Sequence, residues 1–118
     1  MDALQNLEVW KRACRLSVRL YLETAACPDR GFRSQVTRAG LSIPSNIAEG
    51  YERDGNRECA RFMRMARGSC GELWTQLWIG AEAGLLDRDT VQELAAETRE
   101  LSKMLRGLIK FYRLRSGG

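Results

Sequence analysis

"GLSIPSNIAEG", Gly40–Gly50, puts Pro44 in the middle of an apolar pattern of helical period. A proline in a helix interior lacks a donor and collides with the carbonyl four residues back, at a cost of about 3 kcal/mol or more. Three readings compete: a loop, a kinked helix, or a polar site built on Asn46 and Glu49. The flanks separate the first two. Phe32, Val36, Ala39, Ile43 and Ile47 recur at spacings of three and four, and the stripe crosses Pro44 without changing phase. The stretch is therefore expected to lie in a helix over about 32–52, kinked at Pro44. The residue four back is Gly40, a flexible neighbour able to absorb a bend, and Ser42 offers a hydroxyl to a freed carbonyl. Asn46 sits beside the stripe, where a buried amide needs partners. Glu49 lies further round, within reach of a neighbouring helix or subunit. Gly50 and "RDGN" (53–56) close the helix.

Three more helical patterns flank it. The first, about 4–24, carries Trp10, Cys14, Val18 and Tyr21 as its core stripe, with a second apolar strip of Val9, Ala13, Leu16 and Leu20 beside it. "CPDRG" ends it with turn residues. The third, about 56–83, has the stripe Phe62, Ala66, Ser69, Leu73, Leu77 and Gly80, with small residues at Gly68, Gly71 and Ala81 that permit close helix approach. Gly84 suits its C′ position. The fourth, about 87–114, opens on Asp87 as N-cap and turns Val91, Leu94, Thr98, Leu101, Leu105, Ile109 and Tyr112 inward. Four helices with short connections predict one all-α domain over 1–118, an antiparallel up-down-up-down four-helix bundle.

Such a bundle leaves apolar surface over. Trp78 and Ile79 flank the third stripe on opposite sides, Trp74 is intermediate, and Val9, Leu16 and Leu20 lie off the first stripe. Single exposed hydrophobes are ordinary. Tryptophans at i and i+4 plus an extra strip suit a subunit interface better, so Val9, Leu16, Leu20, Trp74, Trp78 and Ile79 are expected to form a homo-oligomer contact.

The 118 residues contain no histidine, which removes the commonest general base. No nucleotide-binding or hydrolase fingerprint occurs. Gly68-Ser69-Cys70-Gly71 lies mid-helix and cannot cradle a phosphate as a loop would. The four cysteines form no C-x-x-C pair, so neither zinc nor a disulfide framework is expected. The chain lacks a basic n-region with an apolar core and any span of about 20 apolar residues. A cytoplasmic, non-enzymatic protein without metal, cofactor or membrane is expected.

The net charge is +4. Arg99, Lys103, Arg106, Lys110 and Arg113 recur at spacings of four and three, one stripe on the fourth helix with only Glu100 three residues from a member. Arg57, Arg61, Arg64 and Arg67 line the first half of the third. Cations near a helix C-terminus also satisfy the macrodipole, and a charged face is often merely solvated. The other reading is RNA or DNA binding of low sequence specificity and steep salt dependence, with Arg57, Arg61, Arg64 and the stripe on phosphates. Arg12, Arg15 and Arg19 on the first helix are diluted by Glu8 and Glu23.

"LSIPSNIAEGYER" (41–53) resembles the signature of the four helix bundle protein family, also called the 23S rRNA intervening-sequence protein family. "LEVWKRACRLSVRLYLET", "CPDRGFRSQVTRAG" and "FMRMARGSCGELWTQLWIGAEAGLL" resemble its flanking segments. The signature positions are Pro44, Asn46, Ile47, Glu49, Gly50, Gly68, Ser69 and Glu72. The resemblance implies a bundle assembling as a homopentamer, and a likeness to the accessory protein of diversity-generating retroelements, a basic pentamer that works with a reverse transcriptase and nucleic acid. No enzymatic activity is established for that family, and the resemblance makes a nucleic-acid enzyme a partner to expect.

Overall fold

Asp29 and Asp87 open two long helices in the same way, each accepting the N–H three residues on, from Phe32 and Thr90. The computed structural model describes residues 2–116. It contains five helices: α1 (Asp2–Gln5), α2 (Glu8–Glu23), α3 (Arg30–Tyr51), α4 (Asn56–Glu82) and α5 (Arg88–Arg115). No strand occurs among the described residues, so the chain is all-α. The expected first helix is broken. Leu7 is extended at φ −80°, ψ 113°, and Leu4 on the preceding turn is buried. At the end of α4, Gly84 has φ 74°. The Leu85 N–H donates to the Gly80 carbonyl and the Gly84 N–H to Ala81, the paired bonds of a Schellman ending.

α3 is unbroken through Pro44, which is buried, so the loop reading is excluded. The Ser42 hydroxyl is used otherwise than expected. The Ser42 hydroxyl donates to Ala39 O at 2.7 Å, not to Gly40, and lies 2.6 Å from the Ser69 hydroxyl on α4. Gly40 serves close approach: a Cβ there would overlap Cδ1 of the fully buried Leu20. Asn46 Nδ2 donates to Ser42 O at 2.9 Å. Glu49 is exposed and pairs with Arg53 one turn on, at 2.6 Å. Asn46 and Glu49 are thus each engaged within their own helix.

α3 packs on α2 and α4, and α5 packs on α4 and α2. Phe32, early in α3, would meet a Cβ at Gly80, late in α4; Phe62, early in α4, would meet one at Gly50, late in α3. Arg12 and Arg19 of α2 reach Glu97 and Glu93 of α5, in reverse order along the chain. Val36, Ala39, Ile43 and Ile47 are buried as expected, and so are Val91, Leu94, Thr98, Leu101, Leu105 and Ile109.

α2 is rotated from the expected orientation, so that the second of its two apolar strips is the core one and Trp10 of the first is only partly buried against it. Val9, Ala13, Leu16 and Leu20 enter the core, while Val18 is 58% and Tyr21 44% exposed. Val9, Leu16 and Leu20 are therefore not a subunit interface. Both strips are apolar, so period alone cannot choose between them. Turning Leu20 inward fills the notch at Gly40 and swings Arg12 and Arg19 onto acids of α5.

All four cysteines are free thiols. Burial pushes Cys70 up to about 12, with Arg67 opposing weakly. The thiolate is the reactive species, so Cys70 should resist iodoacetamide at pH 8 in the native protein and label only in denaturant, as intact mass would read out.

Candidate nucleic-acid interface

Five cations of α4 and α5, Arg57, Arg64, Arg67, Arg99 and Arg113, meet along one seam. Arg57, Ala60, Arg64, Arg113 and Ser116 line a depression where α4 begins and α5 ends. Arg64 continues into a second, with Arg67, Gly68, Gly71 and Ser102. Gly71 and Ser102 continue into a third, with Cys70, Trp74, Thr75, Thr98 and Arg99. Shared residues make these one groove along α4 and α5, and no carboxylate lines it. From Arg57 to Trp74 it runs about 25 Å at 1.5 Å per residue of helix.

Gly68 and Gly71 lie along the groove. A Cβ at Gly68 or Gly71 would meet nothing within 4 Å, so these residues leave the seam open toward solvent rather than admitting a close helix. That corrects the expectation for both. Gly80 does admit a neighbour, since a Cβ there would lie 2.6 Å from Phe32 Cζ. Across the seam Arg67 Nε donates to Ser102 Oγ at 3.4 Å. Arg99 Cζ lies 5.7 Å from the centre of the Trp74 ring, within cation–π range.

Arg57, Arg64, Arg67, Arg99, Arg106, Lys110 and Arg113 make no ion pair among the described residues. Lys103 has Glu100 at 3.6 Å, the neutralising neighbour expected from spacing. Arg61 is engaged more firmly. It bonds both oxygens of Glu58 at 3.0 and 3.2 Å and lies over the Phe62 ring. These bonds hold the Glu58 carboxyl below its ordinary range and raise Arg61. Arg61 is thus the least available of the expected cations. Arg12 and Arg19 are paired to acids of α5; exposed Arg30 and Arg33 on α3 line a separate depression with Tyr21, Ser34 and Thr37.

Arg106 and Lys110 are exposed on α5 but do not line the groove. Trp78 is 56% exposed, and Ile79 is also exposed. Trp74 instead forms a wall of the groove. The charges were legible in the sequence but the seam was not, because spacing places residues on a helix and says nothing of which neighbour that face meets.

The profile of the 23S rRNA-intervening sequence protein family matches residues 5–107. The chain belongs to this family. A protein of unknown function from the S23 ribosomal protein family of Bacteroides thetaiotaomicron has a similar solved structure, with a TM-score of 0.83 at 19% identity over 86% of this chain and 98% of that one. At that identity the likeness shows the fold alone. No curated protein matches the sequence. In this intervening-sequence family member the signature positions divide by setting. Pro44 and Gly50 are buried, Asn46 and Ser69 half-buried, and Glu49, Gly68 and Glu72 exposed. Ser42–Ser69 is the polar link between the two signature segments. No group of three potential metal ligands occurs among the described residues, and no described helix is long and apolar enough to cross a membrane.

Proposed function

We propose that this protein is a non-enzymatic, homo-oligomeric scaffold that binds nucleic acid with low sequence specificity, alone or beside a nucleic-acid enzyme. The observation carrying this is the groove between α4 and α5, where arginines from two helices converge with no carboxylate lining it. Unneutralised like charges held together favour a polyanion. No base-reading module accompanies them, so phosphate contact dominates. RNA and DNA binding titrated with salt tests the reading. Affinity should fall steeply as salt rises, and undetectable binding of either at low salt overturns it.

We read α2–α5 as an antiparallel up-down-up-down bundle, supported by the end-to-start contacts of α3 with α4 and of α2 with α5. We keep a bend at Pro44 in this reading, because proline leaves the Gly40 carbonyl without its helical donor. Free thiols fit a cytoplasmic setting.

Oligomerisation is supported by two outward apolar faces. One is Val18, Tyr21 and Leu22 on α2; the other is Trp78 and Ile79 on α4. α2 and α4 each pack chiefly on α3 and α5, so these faces point to different sides. Two unlike faces make a head-to-tail contact, which gives a ring where the rotation between subunits closes; a ring of five subunits is what the family resemblance implies. Val18→Arg and Trp78→Arg should each yield monomer in light scattering. Mixed together they should yield a dimer, since each retains the face the other lacks. A dimer from either variant alone would contradict a head-to-tail ring. The rival reading, a purely structural oligomer with incidental charge, rests on these same apolar faces and predicts no salt-dependent binding.

A further inference from the structure

We infer that the groove takes single-stranded rather than duplex nucleic acid, with a nucleobase stacked on Trp74. This rests on the nucleic-acid reading above and adds the strand state and the stacking residue. The two ends of the groove differ in chemistry. At the Arg57 end, three guanidiniums and the Ser116 hydroxyl surround a depression with no aromatic ring in its lining. That suits phosphate oxygens, which accept charge-assisted bonds. At the other end, the exposed part of the Trp74 indole forms a wall beside Gly71 and Thr75. Gly71 beside Trp74 carries no side chain and faces open space, which leaves room for a flat ring.

A duplex presents phosphates on its outside and keeps its base faces stacked within, so it can use only the arginine end. A single strand offers phosphates and unstacked faces together, which is the pairing of groups that the groove supplies. Arg99 already lies over the indole. An incoming base takes that ring face and frees the guanidinium for the adjoining phosphate. Every base has a π-face, so stacking adds affinity without reading sequence. Trp78, on the outward side of the same helix, lines none of the three depressions.

The test uses the wild-type protein first. A single-stranded oligonucleotide carrying bromodeoxyuridine, and its bromouridine RNA counterpart, are irradiated with the protein and adducts mapped by mass spectrometry. Adducts on Trp74 are expected; adducts on Trp78 alone, or on neither tryptophan, overturn the inference. Affinities of Trp74→Leu and Trp74→Phe for single strand and for the matched duplex are then compared at fixed salt. Trp74→Leu should weaken single-strand binding about tenfold or more. Duplex binding should stay within twofold, and Trp74→Phe should restore most of the single-strand loss. Equal loss on both ligands, or no loss on either, overturns the inference while wild-type binding keeps the broader reading. Absence of all binding by wild-type protein overturns both.

Discussion

Leu20→Ala should destabilise the protein by about 2–5 kcal/mol, whereas Val18→Ala, two residues away, should change stability by no more than about 0.5 kcal/mol. Leu20 is fully buried and sits against the backbone of α3 at Gly40, where no Cβ intervenes. Truncation removes its transfer energy and leaves a cavity, because Gly40 has no side chain to fill the space. Val18 points to solvent in the single chain. Urea denaturation at concentrations where each variant is monomeric separates the two effects, since assembly adds its own stabilisation. A larger loss from Val18→Ala would return α2 to the face that its Trp10–Cys14–Val18–Tyr21 periodicity suggested. The expected Leu20 loss is a large fraction of the roughly 5–15 kcal/mol typical of a domain.

Replacing Arg57, Arg64, Arg99 and Arg113 together by Gln should weaken nucleic-acid binding by on the order of 10²-fold at about 50 mM salt. It should also lower the slope of log affinity against log salt by roughly one for each phosphate that no longer has an arginine partner. All four line the groove and form no ion pair among the described residues, so their removal orphans no carboxylate. Thermal stability should hold or rise as like charges are relieved. Arg12→Gln is the matched control for Arg57→Gln alone, since each removes one charge. Arg12 bonds Glu97 in two places, with Nε–Oε2 at 3.0 Å, so its replacement should leave the salt slope unchanged. Comparable weakening by Arg12→Gln and Arg57→Gln would indicate diffuse attraction to net charge and no role for the groove.

The two predictions differ in how far the sequence foretold them. The arginines were legible as periodic cations on two helices, and Lys103 as the member compromised by Glu100. Arg61 was not separable from Arg57 and Arg64 by spacing as a group. A glutamate three residues before it is the signal that was available, and Glu58 does take it. Gly68 and Gly71 were legible as small residues, but a small residue serves equally to admit a helix or to leave a groove. Only the position of the neighbouring backbone tells which. Gly80 and Gly40 admit a neighbour; Gly68 and Gly71 do not.

By itself the sequence determined the all-α class, the continuity of the helix through Pro44, and the caps at Asp87 and Gly84. It also carried the family, in "LSIPSNIAEGYER". These are local matters: apolar period, capping oxygens and a glycine's positive φ act within one or two helical turns. Tertiary structure alone decided which strip of α2 is core, which glycines are notches, and which arginines of α4 and α5 meet at one seam. Each depends on how one helix is rotated against another. That rotation is set by the summed packing and ion pairing of residues far apart in the chain, such as Leu20 with Gly40 and Arg12 with Glu97.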